Sequence, residues 1–394
     1  MKRLFLILLT TVCASSAFAQ LGGDGYYRVK SAKQGRYVSL VDNRGSVNVS
    51  TTSADMSALR TVYGFSRVVS DPSTVIYIMK YGDGYDLRSQ GTGSYDIVSY
   101  ALKIMEVEEG IYWAWATKAG MSRYLADETI SWMWGESDPR RIYGNMTNIE
   151  VPKADEADWN IIPVSQAEGC YFGITPDVTV GDSYYKSFYA AFPFAFGSAG
   201  MNAYYISKVD EKKKAAVIKE LTFGVPSKTP VIVKCSSTDP ANNKLIVGAT
   251  TSGAASGNLL KGVFFCNDVS NTSHRNVVDY KASTMRVLGT ASDGSLAFVK
   301  SSTLKYIPAN TAYINVTADA PDELKIYTQE GYDALPDGIF GDLNGDEKLD
   351  SKDVDLMVSY ILKKESFDSA ADLNSDGKID VLDMGILVKE ILKK

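Results

Sequence analysis

Oxygen-bearing side chains recur at the same spacing in two stretches near the C-terminal end of the sequence. The stretches GDLNGDEKLDSKDVDLMVSYIL, from Gly341, and ADLNSDGKIDVLDMGILVKEIL, from Ala371, lie thirty residues apart. Their candidate metal ligands are Asp342, Asn344, Asp346, Lys348, Asp350 and Asp353, then Asp372, Asn374, Asp376, Lys378, Asp380 and Asp383. These are positions one, three, five, seven, nine and twelve of a calcium-binding loop, in which position seven supplies only its backbone carbonyl. Because a hard cation takes roughly six to eight oxygen ligands, the pattern predicts two Ca²⁺ sites rather than a solvated acidic tail.

The elements around these loops differ from those of an ordinary EF-hand, which has a helix on both sides of its loop. Pro336, Gly338 and Gly341 precede the first loop and make an entry helix unfavourable. The repeated unit is therefore a loop followed by an exit helix, with Asp instead of Glu at position twelve. In this it resembles a type I dockerin, over Gly341 to Lys394. The resemblance implies Ca²⁺ binding and a cohesin-like partner.

The resemblance also implies which residues face the partner. In dockerins these lie near positions ten and eleven, here Ser351 and Lys352 in the first copy and Val381 and Leu382 in the second. Because the two pairs are chemically unlike, we expect one docking mode, or a contact made mainly by one helix, and the sequence leaves open which helix.

The two loops also differ at position six. It is Gly377 in the second loop and Glu347 in the first. A non-glycine residue at positive φ costs about 1 kcal/mol or more, so site one is predicted to be the weaker calcium site.

The first nineteen residues have the form of a bacterial export signal. Lys2 and Arg3 precede an apolar run from 4 to 12, and Ala17-Phe18-Ala19 forms a small-residue cleavage site. The apolar run is too short to span a membrane, and no other long apolar run follows. We therefore expect a protein that is secreted or displayed at the cell surface.

Charge and reactive residues argue against several functions. The formal net charge is −6, and most of this net negative charge comes from the calcium module, so no basic surface for nucleic acid is expected. His274, the single histidine, lies in the polar stretch NTSHRN, which disfavours a catalytic triad or a histidine zinc site. Cys170, Cys235 and Cys266 allow at most one disulfide in the mature chain, and buried free cysteines are the favoured interpretation.

Residues 20–164 contain short aromatic and β-branched runs punctuated by Gly, Asn and Asp, which predict strands. Three loosely repeated units end in the expected strands 65–69, 103–107 and 159–164. This organisation resembles the ricin-type β-trefoil, although the Gln-x-Trp signature of that group is absent. The resemblance implies a β-trefoil-like domain.

The five tryptophans all lie between Trp113 and Trp159. The pairs Trp113 with Trp115 and Trp132 with Trp134 each share one face of a strand because strands alternate with a period of two. They are candidate sugar-stacking residues, and the alternative is that they fill the core of the domain.

Residues 165–326 predict a second β-domain, which resembles a β-sandwich region of secreted Bacteroidetes proteins. Within it, residues 210–221 (DEKKKAAVIKEL) fit either a helix or a charged strand pair. Residues 327–340 are predicted to link this domain to the dockerin. The predicted fold is thus mainly β: a β-trefoil-like domain, a β-sandwich-like domain and a small α-helical dockerin.

Two functions from different classes follow. The favoured one is a non-catalytic, carbohydrate-binding body carried by a calcium-dependent dockerin. The alternative is a polysaccharide-degrading glycoside hydrolase, because dockerins are usually fused to such enzymes and a carboxylate pair needs a fold to be recognised. In a third interpretation the dockerin is an internal clamp on the chain's own β-domain.

Overall fold

The structure is a computed structural model, and it is mainly β, with several sheets and a helical C-terminal region. The described residues are 21–33, 35–40, 59–63, 65–90, 103–118, 121–126, 143–144, 157–251, 255–264, 278–335, 340–346, 348–363, 370–374 and 376–393. The predicted export signal, His274, Cys266, Trp132, Trp134 and Glu347 lie outside these ranges. Within them, no helix has the length and apolar character needed to cross a bilayer.

Ten described strands form the first sheet. They are β1 (Gly25–Ser31), β2 (Arg36–Leu40), β3 (Leu59–Tyr63), β4 (Ile76–Tyr81), β5 (Gly84–Ser89), β6 (Lys103–Glu108), β7 (Ile111–Lys118), β8 (Met121–Ala126), β9 (Tyr143–Gly144) and β10 (Trp159–Pro163). Strand β1 pairs antiparallel with β10, β2 and β4, and β7 pairs with β6, β8 and β10. The sheet therefore joins the beginning of this region to its end. The arrangement as a three-unit trefoil stays a prediction.

The prediction of one strand in this region is wrong. Residues 65–69 were expected to close the first unit as a strand, but Phe65–Val68 is a short helix, α1. The carbonyls of Val68 and Val69, at the end of this helix, accept hydrogen bonds from the backbone amides of Asp71 and Gly173 and also from the buried guanidinium of Arg28, at 3.3 and 3.4 Å. The expected strands at 103–107 and 159–164 are confirmed as β6 and β10.

Thirteen described strands follow. They are β11 (Phe172–Gly173), β12 (Val178–Val180), β13 (Ser183–Phe188), β14 (Phe194–Phe196), β15 (Asn202–Asp210), β16 (Ala215–Leu221), β17 (Val231–Cys235), β18 (Lys244–Val247), β19 (Leu260–Val263), β20 (Met285–Thr290), β21 (Leu296–Val299), β22 (Thr311–Asn315) and β23 (Glu323–Tyr327). Strands β11, β18 and β14 form a small sheet. The other ten form a large sheet in the order β12-β13-β17-β15-β16-β23-β21-β20-β22-β19.

The segment 210–221 resolves into the strand-pair alternative, and the helical alternative is wrong. Asp210 ends β15 and pairs with Ala215 at the start of β16. Strand β16 is an inner strand, flanked by β15 and β23. Ala215, Ala216 and Val217 are fully buried because Ala215 and Val217 pack with Tyr332 while Ala216 faces the large core. A helix would place the charged side chains of this segment against that buried surface.

The two β-regions share a packed junction. Tyr26 and Val75 pack with the core of the second region, and the Tyr26 and Phe192 rings meet edge to face at 6.1 Å. Arg28, which is 1 % exposed, also donates hydrogen bonds to the carbonyls of Cys170 and Tyr171 at 3.2 and 2.8 Å. Burial lowers the pKa of Arg28 to about 10. These carbonyls offset part of the cost of burying the charge.

The first part of the predicted linker 327–340 forms regular secondary structure that packs on the large sheet. Helix α2 (Gln329–Asp333) packs its buried Tyr332 on Ala215 and Val217. The Tyr332 hydroxyl donates to Asp210 Oδ2 at 2.6 Å and accepts from the Lys208 ammonium at 2.5 Å. These contacts hold the chain to the large sheet until just before the C-terminal region.

The C-terminal region contains two longer helices, α3 (Ser351–Lys363) and α4 (Val381–Ile391). Its core is made of Leu349, Met357, Ala371 and Leu387, around which further aliphatic side chains from both copies pack. Leu349 and Ile379, which both stand at position eight of a loop, belong to this cluster. The two copies therefore close on each other to form one small core.

Candidate metal centre and docking face

Each loop is folded by its own oxygen side chains. In loop two, Asn374 Oδ1 accepts the amide of Asp376 at 2.9 Å and Asp376 Oδ1 accepts the amide of Lys378 at 2.9 Å. In loop one the equivalent bonds, from Asp346 N to Asn344 and from Lys348 N to Asp346, measure 2.8 and 3.1 Å. Such side-chain turns curl the backbone within the loop. The two copies therefore repeat in geometry as well as in sequence.

The position-twelve aspartates close the loops. Asp353 and Asp383 are both fully buried. Asp383 Oδ1 accepts the amides of Leu373 and Asn374 at 2.8 and 3.1 Å, and its Oδ2 accepts the amide of Asp380 at 2.9 Å. Asp353 makes the same three contacts with the amides of Leu343, Asn344 and Asp350, at 2.9, 3.3 and 2.9 Å.

This closure also starts the exit helices. Asp380 caps α4 and Asp383 completes a capping box with it. Position twelve thus connects the beginning of each loop with the first turn of the helix that follows.

The donor set fits a hard divalent cation. All the predicted side-chain ligands carry oxygen, and Lys348 and Lys378 are exposed, as expected for residues that offer only a carbonyl. The carboxylates are turned towards backbone amides, and no group of three or more His, Cys, Asp or Glu side chains is gathered as a metal cluster in the described part of the chain. Calcium at these loops would be held by Asp342, Asn344, Asp346, Asp350 and Asp353, and by their equivalents in loop two. It would neutralise their charge.

Loop one departs from loop two at its centre. Asp342 Oδ1 accepts the amide of Gly345, at position four with φ of 71°, whereas Asp372 Oδ2 accepts the amide of Gly377, at position six with φ of 84°. Glu347 lies outside the described residues, so the predicted weakness of site one stays a prediction. The role of Gly345 was missed in the sequence, where Asn344-Gly345 is a turn signal that could have indicated it.

A lysine of the predicted partner face reaches back into loop one. The ammonium of Lys352 lies 3.2 Å from Asp346 Oδ2. The hydrogen bond with Asp346 raises the pKa of Lys352. At Asp346, desolvation opposes the effect, but the hydrogen bonds from Lys352 and from the Lys348 amide lower the carboxyl pKa overall. The equivalent residue in loop two is Leu382, which cannot form this pair.

The predicted partner-facing residues are all on the surface. Ser351 and Lys352 are exposed at the start of α3, and Val381 and Leu382 are 73 % and 60 % exposed at the start of α4. Their main-chain positions are set by the two loop closures, because each pair directly precedes a position-twelve aspartate.

Two of the four predicted sugar-stacking residues, Trp113 and Trp115, lie within the described part of the chain. Trp113 and Trp115 lie half-buried on one face of β7, while Ala114 between them faces the core. The Trp113 indole N–H donates to Asp158 Oδ1 at 2.7 Å. The fifth tryptophan, Trp159, was not among the candidate sugar-stacking residues; it is 1 % exposed and belongs to the core of the first sheet.

These features define the C-terminal region as a doubled loop–helix module with a hard-cation donor set. Comparison with known families agrees: residues 340–392 match the dockerin type I domain. Type I dockerins typically bind calcium, and a dockerin implies calcium-dependent docking to a cohesin partner. The match covers this segment alone, and no curated protein matches the chain.

Proposed function

We propose that this chain is an exported docking protein, whose C-terminal module binds two calcium ions and attaches a non-catalytic, β-rich body to a cohesin-like domain. The observation that carries the proposal is the repeated closure by Asp353 and Asp383. Each buried carboxylate accepts three backbone amides that begin and end its loop. An ion bound by the same loop would stabilise that closure and the helix after it.

The proposed role of the β-body is carbohydrate binding, with the rings of Trp113 and Trp115 as the stacking surface. Both rings are partly exposed on the same face of β7, which is the arrangement that stacking on a sugar requires. This part of the proposal belongs with a β-trefoil-like first domain and with export through the N-terminal signal. A glycoside hydrolase body and an internal clamp of the dockerin on its own β-body are the competing functions.

Two experiments test the proposal on the mature chain. Calorimetric titration with calcium should give two binding events that are lost with excess chelator, and a single event or none would contradict the two-site assignment. Glycan arrays run in parallel with hydrolysis assays should give binding without product. Release of product from any glycan would refute the non-catalytic body.

Variants separate the sugar surface from the core. Replacing both Trp113 and Trp115 with alanine should abolish glycan binding while calcium binding is retained. Tyr81, 55 % exposed on β4 of the same sheet, provides the control for loss of an exposed aromatic ring. Equal loss of glycan binding after Tyr81→Ala would contradict the assignment of the tryptophan face.

A further inference from the structure

The two exit helices present different surfaces at equivalent positions. Along α4, Val381, Gly385, Val388 and Leu392 follow each other at intervals of four, three and four residues, so they share one face. Val381, Val388 and Leu392 are 73 %, 37 % and 79 % exposed, and Leu382 beside them is 60 % exposed. The start of this face carries no charge.

The equivalent face of α3 begins with polar groups. Its residues are Ser351, Asp355, Val358 and Leu362, with Lys352 in place of Leu382. Only the second half of this α3 face is apolar, and its Leu362 is 74 % exposed. The ammonium of Lys352 is held 3.2 Å from Asp346, a predicted ligand of loop one. The helices therefore differ in their first turns, while their second halves are alike.

This difference determines which helix contributes more binding free energy when a partner covers it. Burying the first turn of α4 removes apolar surface from water at no cost in charge desolvation. Covering the first turn of α3 would desolvate the exposed charges of Lys352 and Asp355, and desolvation of charges offsets much of what a contact gains.

We propose that the module docks in a single orientation, in which the first turn of α4 provides the centre of the contact and α3 lies at its edge. The proposal rests on the docking function proposed above. The occupant is a cohesin domain of another polypeptide, because the matched segment is a dockerin. The surface it offers should be apolar where it meets Val381, Leu382 and Gly385, and acidic near Lys389, an exposed cation of the last turn of α4.

A matched pair of steric variants tests the orientation. A Cβ at Gly385 would meet no atom within 4 Å, so Gly385→Arg adds bulk to the face without disturbing the module. Asp355→Arg adds the same side chain at the equivalent exposed position of α3. The probe is a panel of purified type I cohesin domains, immobilised and offered the mature chain in calcium and in excess chelator.

The expected result is calcium-dependent binding of the wild-type chain to at least one cohesin. Gly385→Arg should then weaken that binding by at least about 30-fold, as expected for a residue at the energetic centre of an interface, and Asp355→Arg by no more than about threefold. Unchanged calcium affinity of both variants verifies that the module is folded.

The outcomes separate this inference from the docking function itself. A larger loss for Asp355→Arg than for Gly385→Arg, or binding lost only when both are combined, would overturn the single orientation and leave docking intact. No wild-type binding to any cohesin would overturn both. A calcium-dependent dimer, detected by light scattering and abolished by Gly385→Arg, would assign the face to a second copy of the chain instead.

An exchange of surfaces provides the converse test. Giving α3 the first turn of α4, through Ser351→Val, Lys352→Leu and Asp355→Gly, should restore cohesin binding to the Gly385→Arg variant by allowing docking through α3. Failure to restore binding would refute the inference that the first-turn residues select the helix.

Discussion

Replacing Asp383 with asparagine tests the closure of loop two with almost no change in shape. The carboxylate is fully buried and accepts three amide hydrogen bonds, two at Oδ1 and one at Oδ2. Asparagine keeps one oxygen for the amides of Leu373 and Asn374, but without its charge. Its amide group then faces the N–H of Asp380, donor against donor.

The cost follows from these contacts. A hydrogen bond to a charged group contributes about 1.5–3 kcal/mol and a neutral one about 0.5–1.5 kcal/mol. One charged bond is lost and two become neutral, so the free energy that holds the loop closed should fall by about 3.5–6 kcal/mol on this scale. A module with so small a core has a low free energy of unfolding. We therefore expect loop two and α4 to open together in this variant.

Hydrogen exchange measured by mass spectrometry on the mature chain in calcium can detect this opening. Peptides from residues 371–391 should exchange at least about 100-fold faster than in the wild-type chain, because each 1.4 kcal/mol corresponds to a factor of ten. The intrinsic fluorescence should not change, since all five tryptophans lie at 113–159.

Asp355→Asn is the matched control, because it makes the same chemical change at an exposed position of α3 in the same module. Its exchange should equal that of the wild-type chain. If Asp383→Asn behaves like this control, the buried carboxylate does not hold the loop and the basis of the proposed calcium closure is refuted.

Four further predictions concern other parts of the chain. Asp372→Ala should reduce total calcium affinity more than Asp342→Ala does if loop two is the tighter site, and the reverse order in calorimetry would contradict this. Gly341→Ala should destabilise the module by about 2 kcal/mol, seen as faster exchange of 341–353, because φ is 88° and the new Cβ would lie 2.7 Å from Leu387. Arg28→Met should lower the free energy of unfolding of the β-body by about 3 kcal/mol in urea titrations followed by tryptophan fluorescence, since four carbonyls each lose a hydrogen bond from the charged guanidinium. An unchanged midpoint would show that the junction does not depend on Arg28. Burial raises the pKa of Cys235 to about 12. Near pH 9 the thiol therefore ionises in the unfolded chain but not in the folded one, so the free energy of unfolding should fall above pH 9. Between pH 8 and pH 10, the free energy of unfolding of Cys235→Ala should fall by about 1–2 kcal/mol less than that of the wild-type chain.

The calcium module could be predicted from the sequence because its chemistry is local. Each predicted ligand of loop two, from Asp372 to Asp383, lies within one short loop and the first turn of the helix after it. Their side chains bond to amides between two and ten residues away. Such contacts depend on spacing along the chain, which the sequence displays directly, and the repeat shows the spacing twice.

The β-body could be predicted only in its class. Alternating and aromatic runs indicate strands, but strand pairing is set by residues far apart, such as Tyr27 with Pro163. The helix at Phe65–Val68 contacts Arg28 at its end, and the strand at Ala215–Leu221 pairs with strands on both sides, one of which is more than a hundred residues away in sequence. These partners are distant in sequence, so local pattern alone favoured the wrong structure at 65–69 and left two structures open at 210–221.

The docking face illustrates the same division. The sequence alone determined that Ser351 and Lys352 differ from Val381 and Leu382, and hence that the two helices are not equivalent. The tertiary structure shows how these residues are placed: it pairs Lys352 with Asp346 and leaves the apolar start of α4 exposed. The physical reason is that the identity of a side chain is a property of the sequence, whereas its exposure and its partners depend on how the whole chain packs.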